Sequence, residues 1–121
     1  MKTILLVDDD DLLRKMLRLK LESLGYAVLE ARNGNEATRH QKAHPADIMI
    51  TDLVMPDKEG LETIHEFRRA HPALKIIAMS GGGRSSAETY LHFATQLGAV
   101  AALQKPFSTD ILVAALKKAL P

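Results

Sequence analysis

The sequence predicts an α/β unit in which a parallel sheet is covered on both faces by helices. Two observations carry this. Short apolar runs of strand length, TILLV, YAVLE, DIMIT, KIIAM and AVAALQ, alternate five times with longer stretches of helical spacing. The runs are continuously apolar rather than alternating, the pattern of strands buried on both faces. Right-handed crossovers between parallel strands then leave few topologies. No internal repeat, low-complexity stretch or linker interrupts the 121 residues, so one domain spanning 1–121 is expected.

Each element has a local reason. The first strand, Ile4 to Val7, runs directly into four aspartates, Asp8 to Asp11. The following helix is expected to place Leu13, Met16, Leu17, Leu21 and Leu24 on its core face and to stop at Gly25, a C-terminal cap. A step of about 100° per residue puts Leu12 and Leu19 together on the opposite side, beside Lys15. The second helix opens after the Asn33-Gly34 turn and ends before His44-Pro45. The third runs from Gly60 to Ala70 and halts ahead of His71-Pro72, because proline disfavours a helical residue before it. The fourth covers Ser86 to Leu97 and closes at Gly98. The fifth starts near Ser108, an N-cap with Asp110 in the first turn, and continues to Leu120.

Composition narrows the function. Lys and Arg total 16 against 15 Asp and Glu, and a net charge of +1 builds no global field for nucleic acid or an anionic membrane. Arg14, Lys15, Arg18 and Lys20 have no interleaved aromatics and read as a solvated helix face. The absence of cysteine excludes disulfides and thiolate metal sites and fits a reducing cytosol. No apolar stretch reaches transmembrane length and the first residues lack a signal-peptide pattern, so a cytoplasmic location is expected. The five histidines show no paired metal-ligand spacing. SGGGR lacks the lysine and spacing of a P-loop and reads as a loop whose glycines let Ser80 shift.

Ligands of open parallel sheets sit beyond the carboxyl ends of the strands, and there the polar exceptions gather. The first strand ends in Asp8-Asp9, the third in Asp52, the fourth in Ser80 and the fifth in Lys105-Pro106, whereas the second ends in Glu30-Ala31-Arg32 with no comparable signal. Asp10 and Asp11 are accounted for by the helix dipole. Two or three carboxylates at one point form a hard oxygen site suited to Mg²⁺. One of them can attack a phosphoryl group, while an ammonium and a hydroxyl hold the remaining phosphoryl oxygens. These are the parts of phosphoryl transfer.

With LLVDDD at the first strand, ITDLVMPDKEG around the third, IIAMSGGG after the fourth and LQKPF after the fifth, the chain resembles a receiver domain of the two-component response regulators. The resemblance covers essentially the whole chain. It implies a flavodoxin-like three-layer α/β/α fold, strand order 2-1-3-4-5 with five helices, and phosphorylation by a histidine kinase or histidine phosphotransfer protein. Carried over by residue, it implies Asp52 as phosphoacceptor, Asp9 as direct Mg²⁺ ligand and Asp8 acting through water. The carbonyl of Val54 completes the protein's share of the metal shell. Lys105 pairs with the phosphoryl group and its bond to Pro106 is expected to be cis. Ser80 moves towards the phosphoryl oxygens, Gly81 leaves space for the phosphodonor, Met55-Pro56 shapes the turn behind Asp52, and Gly60 admits the third helix. A downstream effector protein and a phosphorylation-dependent second copy are the other implied partners, and the Leu12–Leu19 stripe is the expected docking face for the phosphodonor.

One position departs from the family pattern. The aromatic residue usual three positions before the lysine is Ala102, and a methyl group cannot swing inward behind the hydroxyl. Activation is therefore expected to use the Gly81–Gly83 loop and the fourth helix, with Tyr90 or Phe93 as the moving bulk. Two rival functions remain in view. LLVDDDDL also fits the start of a haloacid-dehalogenase-type phosphatase, with Asp8 as nucleophile and Asp10 as acid-base, although only Asp110 follows Lys105 where a further acidic pair is needed. A receiver-like module that signals without phosphate is the other.

Overall fold

The computed structural model describes residues 1–53, 60–81 and 92–120. Five strands, β1 (Thr3–Val7), β2 (Ala27–Ala31), β3 (Ile48–Asp52), β4 (Lys75–Gly81) and β5 (Ala101–Lys105), make one sheet in the order β2-β1-β3-β4-β5. Every neighbouring pair is parallel. The helices are α1 (Asp11–Ser23), α2 (Gly34–Ala43), α3 (Gly60–Ala70), α4, whose described part is 92–96, and α5 (Thr109–Ala119). None of the described helices is long and apolar enough to cross a membrane.

The two-residue period of a strand divides the core into two layers. Ile4 and Leu6 of β1, Ile48 and Ile50 of β3, and Ile77 and Met79 of β4 pack with Leu17 and Leu21 of α1 and Leu112 and Leu116 of α5. Leu5, Val7, Met49, Ile76 and Ala78 point the other way, towards Ala37 of α2, Ile64 and Phe67 of α3 and Ala94 of α4. Both faces are thus covered, which is why the strands are apolar at successive positions.

Local chemistry sets the helix ends. Asp10, Asn33 and Ser108 are N-caps whose side chains accept from the N–H groups of Leu13, Glu36 and Ile111. At the end of α1, Gly25 lies at φ +98. Its N–H donates to the Glu22 carbonyl and that of Tyr26 to the Leu21 carbonyl, the double closure of a Schellman motif.

Three residues of α1 and the end of β4 differ from the sequence reading. Met16 is 60% exposed and Leu24 38% exposed, whereas Arg14 is only 7% exposed. At about 100° per residue, Met16 lies some 100° from Leu17 and joins Leu12 and Leu19, while Arg14 lies within about 20° of Leu21 on the core face. Leu24 has the right angle for the core, but the helix ends at Ser23 and leaves it as the cap. Arg14 is therefore no part of a solvated basic face. Strand β4 continues beyond Met79 through Ser80 and Gly81, pairing them with Gln104 and Lys105.

Candidate functional site

The four consecutive aspartates have four different surroundings. Asp8, 1% exposed, is gripped on every side. Its N–H donates to the Ala31 carbonyl (3.1 Å), and its Oδ1 accepts from the Asp10 N–H (2.9 Å). Its Oδ2 accepts from Lys105 Nζ (2.8 Å), and its carbonyl accepts from the Arg14 guanidinium (2.7 Å). Asp9 is exposed at the mouth of the site. Asp10 caps α1, and Asp11 pairs with Arg14 at 2.7 Å. The dipole reading of Asp10 and Asp11 is thereby given a geometry.

Asp52 ends β3 beside β1 and is 7% exposed. One carboxylate oxygen from each of Asp8, Asp9 and Asp52 lies within 4.8 Å of the others. Lys105, at the end of β5, reaches across to Asp8 at 2.8 Å and Asp52 at 3.5 Å. Its peptide bond to Pro106 is cis, as expected from the LQKPF resemblance. Ser80, 1% exposed, follows Met79, the β4 partner of Asp52. Gly81 runs so close to the lysine stem that a Cβ there would meet Lys105 Cβ and Cδ at 3.2 Å. The carboxyl ends of β1, β3, β4 and β5 therefore do converge, with strand β2 contributing none of these groups.

Electrostatics follow from that crowding. Burial, reinforced by the charges of Asp8 and Asp9, pushes the Asp52 carboxyl up to about 6 against the opposing pull of Lys105. Burial also disfavours the Lys105 ammonium, but its bond to Asp8 and the charge of Asp52 outweigh this and raise its pKa. Among the described residues, three carboxylates face one ammonium, which leaves negative charge among these hard oxygen donors. Such a set can hold a small divalent cation that keeps part of its water shell.

Val54, Met55, Pro56, the Gly82–Gly83 part of the loop and Tyr90 lie outside the described residues. Ala102 is half-buried in β5 opposite Ala78, and Phe93 is 49% exposed. The sequence reading missed Arg14 and Glu30, which buttress Asp8 from behind. The 20° offset of Arg14 from Leu21 was the available signal, together with one acid on an otherwise apolar second strand.

Comparison with known proteins agrees with this geometry. The family model for the response regulator receiver domain matches residues 4–117. The chemotaxis protein CheY of Thermotoga maritima is 36% identical over 118 residues, covering 97% of this chain and 96% of that protein. The transcriptional regulatory protein GlrR of Escherichia coli is 35% identical over 117 residues, 97% of this chain but 26% of that protein. The chain thus spans about a quarter of the longer regulator. The solved response regulator TrrA of Thermotoga maritima, in complex with Mg²⁺ and BeF, superposes with a TM-score of 0.84 at 32% identity, covering 99% of this chain and 100% of that one. The chain belongs to the response regulator receiver family, the phosphoryl-accepting signalling domains of two-component systems, and its flavodoxin-like 2-1-3-4-5 sheet is that family's fold. Receiver domains are signalling domains rather than conventional enzymes. The phosphatase alternative is not favoured, and Asp8 is ill suited to it because both its oxygens are engaged and it is buried.

Proposed function

We propose that Asp52 accepts a phosphoryl group from a phosphohistidine of a kinase or phosphotransfer protein, with Mg²⁺ held by Asp8, Asp9, Asp52 and the Val54 carbonyl. The observation that carries this is the meeting of the Asp8, Asp9 and Asp52 carboxylates at one point, with Lys105 within 3.5 Å of Asp52. The Asp52 carboxylate attacks phosphorus, an aspartyl P–O bond forms, and the P–N bond to the donor histidine breaks with its electron pair leaving on nitrogen. Bound Mg²⁺ supplies neutralisation of the developing phosphoryl charge. Lys105 holds a phosphoryl oxygen as its bond to Asp8 yields, and Ser80 takes another. The chain catalyses its own phosphorylation and dephosphorylation in this reading and needs no separate active site.

The phosphodonor docks on α1. Leu12, Met16 and Leu19 of α1 are 60–70% exposed, and Met16 also walls a groove of about 470 Å³ shared with Leu13, Leu17, Phe107 and Leu112 and reaching Lys105. An apolar stripe continuous with the reacting cleft suits the helices of a histidine-bearing partner. The unit comprises 1–121, works in the cytoplasm, and passes its signal to an effector protein or a second phosphorylated copy. With Ala102 in β5, Ser80 acts on Gly81 and the segment after it rather than on a swinging ring.

Mass spectrometry after acetyl phosphate and Mg²⁺ tests the core reading. One phosphoryl group adds to the wild type and none to Asp52→Ala; labelling that persists in Asp52→Ala refutes it. Glutamate at both Leu12 and Leu19 should slow transfer from a cognate kinase while leaving the acetyl phosphate reaction intact.

A further inference from the structure

Arg14 is a buried cation that touches no reacting group, and a buried guanidinium is costly unless its donors are all met. Each of its three nitrogens has a partner. Nε donates to Glu30 Oε1 at 2.7 Å, Nη2 to Asp11 Oδ1 at 2.7 Å, and Nη1 to the backbone carbonyl of Asp8 at 2.7 Å. Glu30 is itself held from its other oxygen by Arg18 Nη1 at 2.7 Å. It is carried by β2, paired with Leu6 of β1.

The bond to Asp8 is the consequential one. A carbonyl oxygen and the next residue's nitrogen share one rigid plane, so fixing the Asp8 carbonyl fixes the start of Asp9. Asp9 is exposed and stands at the acidic corner with Asp8 and Asp52, so the backbone beneath it sets where its carboxylate is presented. We infer that Arg14, fastened by Glu30, is a positioning residue for the divalent-cation site: it locks the Asp8–Asp9 peptide in the orientation that turns Asp9 towards Asp8 and Asp52. This rests on the reading of those three acids as the Mg²⁺ site. A planar fork is required, because a lysine could not serve Asp8, Asp11 and Glu30 together. Arg18 grips Glu30 but not Asp8, which makes it the matched control.

The test is a Mg²⁺ titration followed by amide NMR on the wild type, Arg14→Met, Glu30→Gln and Arg18→Met, with amide hydrogen exchange measured in the metal-free proteins. Arg14→Met should weaken Mg²⁺ binding roughly tenfold, at the low end for residues that support metal ligands, and Glu30→Gln about threefold. Arg18→Met should stay within about twofold of the wild type, although it also removes a bond to Glu30. Exchange at Asp9 and Asp10 should rise in metal-free Arg14→Met while that at Ile4 and Leu5 holds. Wild-type Mg²⁺ affinity in folded Arg14→Met, or an equal loss in Arg18→Met, overturns the inference. Should Arg14→Met fail to fold, unchanged affinity in Glu30→Gln overturns it. A wild type that binds no Mg²⁺ refutes the site itself, a result distinct from a wild type that binds and an Arg14 variant that binds equally well.

Discussion

The two sides of the cleft are built differently. On the β1 side, Asp8 is fixed through its N–H, its carbonyl and its Oδ1 by the Ala31 carbonyl, Arg14 and the Asp10 N–H. On the β5 side, Lys105 arrives at the end of a flexible four-carbon stem that passes Gly81, the residue whose missing side chain leaves the stem its path. The ammonium sits at 2.8 Å from Asp8 and 3.5 Å from Asp52, shared between two partners rather than committed to one. Under the proposed function, the difference matches two tasks. A cation with strict geometry needs ligands that are already in place, whereas an arriving phosphoryl group needs a charge that can change partner. Rigidity and adaptability meet at Asp52.

The largest effect that would sharpen this contrast comes from Asp52 itself. Its carboxyl is raised to about 6, so the folded chain binds a proton that the unfolded chain releases near pH 4, and stability falls as pH rises through that interval. In metal-free buffer, Asp52→Asn should be more stable than the wild type by about 1–3 kcal/mol at pH 7, with the gap closing below about pH 4. Urea unfolding at several pH values checks this. A wild type with no such slope would mean that Lys105 already neutralises the corner, and the two sides would no longer differ.

Next is Lys105→Met. Removing the ammonium that, among the described residues, faces three carboxylates should tighten Mg²⁺ binding about tenfold, worth ~1.4 kcal/mol, and slow phosphorylation by acetyl phosphate. Calorimetric titration and phosphorylation kinetics separate these outcomes. Weaker Mg²⁺ binding would show that Lys105 is part of the frame that holds Asp8, not the adaptable partner.

The smallest effect is expected of Gly81→Ala. The new Cβ would stand 3.2 Å from Lys105 Cβ and Cδ, and a flexible stem can give by a few tenths of an ångström. Stability should drop by less than about 1 kcal/mol, while the acetyl phosphate rate falls roughly threefold because the ammonium is displaced from its reach. An unchanged rate would show that the lysine's path is not confined by the neighbouring strand.

Most of the fold could be read along the chain because its causes are local. Asn33 and Ser108 cap helices by bonding an N–H three residues on, and Gly25 stops α1 with a backbone conformation that few other residues adopt. Asp8, Asp52, Ser80 and Lys105 stood out because each is polar at the end of an apolar strand, and parallel strands bring such ends to one edge. Arg14 was misread because a charge on a helix is ordinarily solvated. Its burial depends on Glu30, sixteen residues away along the chain and on another element. Met16 was misplaced because a leucine-rich helix offers more apolar positions than one core face can take.

The amino-acid order alone therefore determined the alternation of elements, their caps and the set of groups at the strand ends, since periodicity and capping act within a turn or two of backbone. Tertiary structure decided which of the four aspartates is clamped, which caps and which stays open. It also decided that Lys105 answers Asp8 across 97 positions of sequence. The physical reason is that burial and electrostatic partnership are properties of neighbourhoods, and the folded sheet creates neighbours that the chain keeps far apart.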